Sequence, residues 1–157
     1  MQNKLLNIVL VAPEIPGNTG SLGRTSLALN SRLILIEPLG FDLSEKSVRR
    51  AGLDYWSEVD CTLYKNFDEF LDQESPTQSQ LKLFSKKAKN IVYQANFNEG
   101  DYLIFGCESA GLPEEILTQY KEYLFRLPQL SESIRSLNLA SAATTICYEA
   151  LRQIRYS

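Results

Sequence analysis

Apolar residues fall in short continuous runs, separated by polar stretches of helical length. Residues 5–11 (LLNIVLV), 32–36 (RLILI), 59–64 (VDCTLY), 81–84 (LKLF), 101–105 (DYLIF) and 123–127 (YLFRL) read as strands. The first is apolar almost without interruption, as expected of a strand buried on both faces. Between them, residues 19–30 carry Leu22, Leu27 and Ala28 at helical spacing, with Asn18 or Thr19 available as a cap. A short basic helix containing Lys46, Arg49 and Arg50 is expected from Ser44 to near Gly52. Another is expected over residues 67–74, with Phe67, Phe70 and Leu71 inward. The last helix follows Arg135-Ser136-Leu137-Asn138-Leu139 and is dense in Ala, Ser and Thr, so something must pack close to its backbone. Strands alternating with helices of this length predict an α/β domain with a mainly parallel sheet. No repeat, low-complexity tract or linker divides the chain, and residues 1–157 are read as one domain.

Composition narrows the chemistry. The net charge of −3 disfavours indiscriminate nucleic-acid binding but permits a local basic patch. Lys46, Arg49 and Arg50 form one candidate patch; Lys82, Lys86, Lys87 and Lys89 form another, for which solvated surface charge is an equal reading. Cys61, Cys107 and Cys147 are widely spaced and odd in number, which fits reduced thiols in or near the core rather than disulfides or a metal site. There is no histidine, which removes Ser-His-Asp and Cys-His catalysis and the usual neutral-pH proton shuttle. No apolar run approaches the ~20 residues of a membrane span, and no signal-peptide cleavage region follows the first run. No membrane association and a cytoplasmic location are the expectations.

Three loops could carry a site, since open α/β sheets bind ligands at the carboxyl ends of their strands. The first, Pro16-Gly17-Asn18-Thr19-Gly20-Ser21-Leu22-Gly23-Arg24, invites a dinucleotide reading with Glu37 as the ribose partner. Its glycines, however, run G-x-x-G-x-x-G behind a proline-containing loop, and no phosphate-binding G-x-x-x-x-G-K-[ST] occurs. The second, Phe105-Gly106-Cys107-Glu108-Ser109-Ala110-Gly111-Leu112-Pro113, has glycines suited to close backbone approach and a proline able to open a helix. A tight strand-to-helix connection explains those residues but not the carboxylate between them. The third runs from Arg126 to the stretch that opens the last helix.

Together, Asn18-Thr19-Gly20 with Arg24, Phe105-Gly106-x-Glu108-x-x-Gly111-Leu112-Pro113, and Arg135-Ser136-Leu137-Asn138-Leu139 resemble the three motifs of SPOUT RNA 2′-O-methyltransferases. The likeness is strongest to the compact enzymes that modify the tRNA wobble nucleotide, which share Pro13-Glu14-Ile15-Pro16, Glu37-Pro38-Leu39-Gly40-Phe41 and Arg49-Arg50-Ala51-Gly52-Leu53-Asp54-Tyr55. It covers nearly the whole chain, is weakest over residues 73–99, and includes the absence of an appended RNA-binding domain.

The resemblance implies a C-terminal trefoil knot, a homodimer, S-adenosylmethionine as methyl donor with no metal, and tRNA as substrate. By position, Phe84, Gly106, Leu127 and Ser136 would line the cofactor pocket with Gly111 in the same loop, and Glu108 and Asn138 would support it. Arg24 occupies the catalytic position. An arginine is a poor base, so Arg24 is read as stabilising developing alkoxide charge or acting with an RNA phosphate. Asn18, Arg49, Arg50 and Tyr148 are the candidate substrate contacts, with dimer contact as an equal reading for Tyr148. Two departures bear on which RNA fits: Ser21-Leu22-Gly23 replaces a bulkier stretch, and Ser131-Glu132-Ser133-Ile134 is one residue longer than usual. Alternatives are 2′-O-methylation of another tRNA or ribosomal nucleotide, or a non-catalytic RNA-binding dimer.

Overall fold

A computed structural model describes residues 3–50 and 53–157. Its centre is a seven-stranded sheet built from β1 (Asn7–Val11), β2 (Arg32–Ile36), β3 (Cys61–Tyr64), β4 (Leu81–Phe84), β5 (Asn90–Ile91), β6 (Tyr102–Phe105) and β7 (Leu124–Arg126), in the order β3-β2-β1-β6-β4-β7-β5. Every pairing is parallel, as the uninterrupted apolar runs predict. Along β1 the side chains alternate between two cores. Ile8 and Leu10 join Leu33, Leu35, Leu103 and Phe105 on one face. Val9 and Val11 join Ile34, Ile36, Ile104 and Leu83 on the other.

The helices are α1 (Pro16–Ala28), α2 (Glu45–Arg50), α3 (Phe67–Glu74), α4 (Glu114–Gln119) and α5 (Leu139–Tyr156). α3 matches its expected bounds because both ends are written locally: the Asn66 side chain accepts the Glu69 N–H, and Ser75 closes the helix in the left-handed region. α1 corrects the expectation that Asn18 or Thr19 caps it. Pro16 opens the helix, and Asn18 and Thr19 lie buried inside it. Proline has no N–H to leave unpaired at that position, and the cap comes from another loop, described below. β5 was not expected; a two-residue strand containing an asparagine leaves no hydrophobic run to read. The expected end of α2 near Gly52 lies outside the described residues.

α5 crosses the same sheet face as α1. Its Ala140, Ala143, Ile146, Cys147 and Ala150 are buried against Leu6, Leu22 and Phe97, and Thr144 Oγ1 meets Thr25 Oγ1 of α1 at 2.8 Å. The small residues therefore do serve close packing, against α1 and the sheet. Burial pushes the Cys147 thiol up to about 12, consistent with an unreactive core cysteine. β7 sits between β4 and β5, while the segment returning from β5 to β6 runs over the α5 face. There Gln153 accepts the Phe97 N–H and donates to the Ala95 carbonyl.

On the other face of the sheet, at the amino ends of β2 and β6, stands a partly buried ion pair. Arg32 donates twice to Glu74, at 2.7 and 3.0 Å. Tyr64 and Tyr102 also donate their hydroxyls to that carboxylate. The Arg32 guanidinium, foremost, holds the Glu74 carboxyl at about 2 against an ordinary 4.5. A lowered folded-state value means this stabilisation is complete above about pH 4.5 and is lost as pH falls towards 2. Glu74→Gln is expected to lower stability at neutral pH by about 2–4 kcal/mol, since it leaves Arg32 charged without a counterion. Denaturant titrations at pH 7 and pH 3 check this: the variant should lose less stability between them than the wild type, and equal losses would refute it.

Candidate active site

The sheet order makes β1 and β6 neighbours, so the loops leaving their carboxyl ends lie side by side. These loops are bound to each other by two carboxylates in reciprocal fashion. Glu108, after β6, accepts the backbone N–H groups of Glu14 and Ile15, each at 2.8 Å. Glu14, after β1, accepts the backbone N–H and hydroxyl of Ser109, at 2.8 and 2.7 Å. The Ser109 N–H, with help from its hydroxyl, holds the Glu14 carboxyl below its ordinary range. Glu108 is thus the missing cap of α1: an anion delivered from another loop to N–H groups just ahead of the helix, where the dipole favours negative charge.

From Glu108 a directional hydrogen-bond chain joins all three motifs. Its carboxylate can only accept, so the Asn18 amide must turn Nδ2 towards it, at 3.2 Å. That leaves Asn18 Oδ1 to accept Nδ2 of Asn138 at 3.0 Å. Asn138 Oδ1 is then free to accept the Ser141 N–H and cap α5. One carboxylate therefore sets the orientation of two amides and the starts of two helices.

The Glu108 loop is tight. Cys107 and Gly111 exchange backbone hydrogen bonds, and Gly111 has φ +70°. A Cβ on Gly106 would lie 2.0 Å from the Gly111 carbonyl carbon and 2.1 Å from the Leu112 nitrogen. Only glycine permits that approach. At the neighbouring strand ends, Phe84 is buried and stacked on Phe105 with centroids 4.9 Å apart, and Leu127 is half-buried against the same core.

The segment from Gln129 to Asn138, including Ser136, is exposed. Among the described residues, no backbone–backbone hydrogen bond outside helices and strands involves residues 128–137. Lys86 Nζ donates to the Arg135 carbonyl, tying the segment to the end of β4.

Arg24 is exposed on α1, with its guanidinium carbon 5.7 Å from the Tyr55 ring centroid. Arg49 and Arg50 are exposed on α2, and Tyr148 is exposed on α5 with Ser141 and Thr145 on its stripe. Direct bonds thus unite Asn18, Glu108 and Asn138, whereas Arg24, Arg49, Arg50 and Tyr148 lie outside that chain. Asn18, expected at the substrate, is buried with its amide oxygen and nitrogen both engaged. Glu14 and Tyr55 carry contacts that sequence reasoning did not assign; both stand in the quoted matching stretches, and only that signal pointed to them. An open depression of about 650 Å³ lies elsewhere, lined by Glu37, Leu39, Phe41, Leu43 and Lys65 among others; it draws on the matching stretch 37–41 but on no residue of the three motifs. Among the described residues, no cluster of His, Cys, Asp and Glu is placed to hold a metal ion, and no helix is long and apolar enough to cross a membrane.

Comparison with known proteins agrees with this arrangement. The tRNA (cytidine(34)-2′-O)-methyltransferase of Saccharophagus degradans is 44% identical over 154 residues, covering 98% of each chain. A solved structure concerned with 2-OH methylation of C/U34 on tRNA is 45% identical, with a TM-score of 0.83 over 94% of this chain and 95% of that one. The SpoU methyltransferase AviRb of Streptomyces viridochromogenes, solved in complex with AdoMet, is 26% identical, with a TM-score of 0.81 over 98% of this chain and 59% of that one. The pattern of the SpoU rRNA Methylase family matches residues 5–148, more than half of the chain, so the chain belongs to that family.

Proposed function

We propose that this protein transfers a methyl group from S-adenosylmethionine to the ribose 2′-hydroxyl of the wobble nucleotide, C or modified U, in the anticodon loop of tRNA. The observation that carries the reading is the chain Glu108–Asn18–Asn138, which binds the three motifs into one unit at the carboxyl ends of β1 and β6. The similarity to cytidine(34) 2′-O-methyltransferases along almost the whole chain supports the choice of nucleotide.

The residues present fit the cofactor. Phe84 and Leu127 offer an apolar floor, Gly106 brings backbone close, and the exposed 129–137 segment makes, among the described residues, no backbone–backbone hydrogen bond outside helices and strands. Ser136 belongs to that segment, and Glu108, Gly111 and Asn138 hold the loops around it. Bound S-adenosylmethionine would supply an already activated methyl group, so the protein mainly has to align and orient. Arg24 stabilises negative charge developing on the ribose oxygen, with no imidazole in the chain to take the proton. Arg49 and Arg50 bind phosphate, and Tyr148 stands on the exposed α5 stripe for substrate or partner.

We further infer a homodimer in the cytoplasm with the C-terminal segment threaded as a knot. Ile15, Leu130, Ile134, Leu137 and Tyr148 are large hydrophobic or aromatic residues left exposed on the segments around the site. Exposed apolar side chains of this size suit burial against a second copy of the chain. The placement of β7 between β4 and β5, with the β5-to-β6 segment bonded to α5, supports the threaded reading.

The test is nucleoside mass spectrometry of tRNA from cells with and without the protein. Loss of 2′-O-methylation at the wobble position is expected. Unchanged wobble methylation would overturn the proposal, and a loss at another tRNA or ribosomal position would redirect it to that RNA.

A further inference from the structure

We propose that Tyr55 is the positioning residue for Arg24, holding both the helical turn that carries it and the guanidinium itself. The inference rests on the reading of Arg24 as the residue that acts on the ribose oxygen.

Three contacts carry it. The Tyr55 hydroxyl donates to the Gly20 carbonyl at 2.7 Å. In an α-helix that carbonyl faces the N–H four residues on, which belongs to Arg24. The Tyr55 ring then lies 5.7 Å from the Arg24 guanidinium carbon, within range for cation–π attraction. Burial raises the Tyr55 phenol above its ordinary range, so the hydroxyl remains a donor at neutral pH.

The third contact is the way α1 makes room. Gly20, Gly23 and Arg24 share one helical face. A Cβ on Gly20 would lie 2.4 Å from Leu53 Cδ2, and one on Gly23 would lie 2.8 Å from Trp56 Cζ3. Leu53 and Trp56 flank Tyr55 in a turn closed by the Trp56 N–H to the Leu53 carbonyl. Two glycines inside one helix forgo helix stability relative to alanine, and here they let the turn sit close enough for the phenol to reach the backbone. This accounts for Gly23 in the Ser21-Leu22-Gly23 departure: the space that a side chain would fill is taken by the Trp56 ring.

A long arginine on an exposed helix face samples many rotamers, and few of them place its planar donors where charge develops. A ring pinned at its hydroxyl end limits that sampling without touching the reacting atoms.

The experiment compares wild type, Tyr55→Phe and Tyr55→Leu in the full-length protein. Tyr55→Leu is expected to slow single-turnover methyl transfer to tRNA roughly tenfold or more, with dissociation constants for S-adenosylmethionine and tRNA within about twofold of wild type. Tyr55→Phe keeps the ring and should lie between the two. Independently of activity, the Arg24 Nε–Hε resonance should be shifted upfield by the ring in wild type and Tyr55→Phe, and return to the exposed-arginine position in Tyr55→Leu. A Tyr55→Leu rate equal to wild type, or an Arg24 resonance indifferent to Tyr55, overturns the proposal. Should Tyr55→Leu fail to fold, an unshifted Arg24 resonance in wild type overturns it by itself. A wild-type protein that leaves tRNA unmethylated defeats the catalytic reading of Arg24 instead, and a shifted resonance there still supports the placement by Tyr55.

Discussion

Arg24→Ala is expected to lower single-turnover methyl transfer to tRNA by at least about a thousandfold while leaving S-adenosylmethionine affinity within about twofold of wild type. The size follows from the chemistry. Methyl transfer from a sulfonium needs little activation of the donor, so the remaining demand is charge on the ribose oxygen as its proton leaves. No histidine exists to share that demand. Removing one preorganised donor aimed at a developing oxyanion typically costs ~10²–10³ in rate, and a full positive charge does more than a neutral donor. The preserved affinity follows from position: Arg24 is exposed on α1 over the Tyr55 ring, outside the chain that joins Glu108, Asn18 and Asn138. Radiolabelled methyl transfer together with calorimetry separates the two effects. Retained activity would remove Arg24 from the reaction; lost cofactor binding would make it a pocket residue.

A second large effect is expected from one methyl group. Gly106→Ala should lower stability by about 3 kcal/mol or more and abolish S-adenosylmethionine binding. The added Cβ would meet backbone atoms at 2.0, 2.1 and 2.5 Å, and backbone has no rotamer by which to retreat. The loop must open, and opening it withdraws Glu108 from the N–H groups of Glu14 and Ile15 and from Asn18. α1 then loses its cap, and Asn138 loses the partner that fixes its amide. Gly111→Ala provides the contrast. A Cβ there has open space but φ is +70°, so its cost should be nearer the ~1–2 kcal/mol of a left-handed non-glycine residue. Thermal melts and calorimetry on the two variants check the ordering. A Gly106→Ala protein that melts and binds like wild type would show that the loop is not the close-packed element described.

The second effect runs through contacts between residues about ninety positions apart, and such separation divides what was legible in the chain from what was not. The parallel sheet could be read in advance, because a strand covered on both faces must be apolar at successive positions, and residues 8–11, 33–36 and 103–105 are. The bounds of α3 were legible because Asn66 and Ser75 terminate it locally. The close packing of α5 was legible as Ala140, Ala143, Cys147 and Ala150. The grouping of the three loops as one site came from resemblance of their motifs, not from spacing.

Tertiary structure decided what each polar residue of those loops does. Asn18 looked like a helix cap and lies inside the helix, because Pro16 starts α1 and Glu108 supplies the capping anion from across β1 and β6. A carboxylate cap contributed by another loop leaves no local pattern: its partners are set by strand order, and strand order is fixed by which strands bury their faces together. The same holds for Tyr55 and Gly23. In sequence they are a tyrosine near an arginine pair and a helix glycine with an apparent cost; in the fold, the glycine admits Trp56 and the tyrosine reaches Arg24. Period and composition determined the layers of this protein, since burial acts on each residue wherever it stands. Hydrogen bonds and ring contacts are directional and short-ranged, so only the folded chain could assign them.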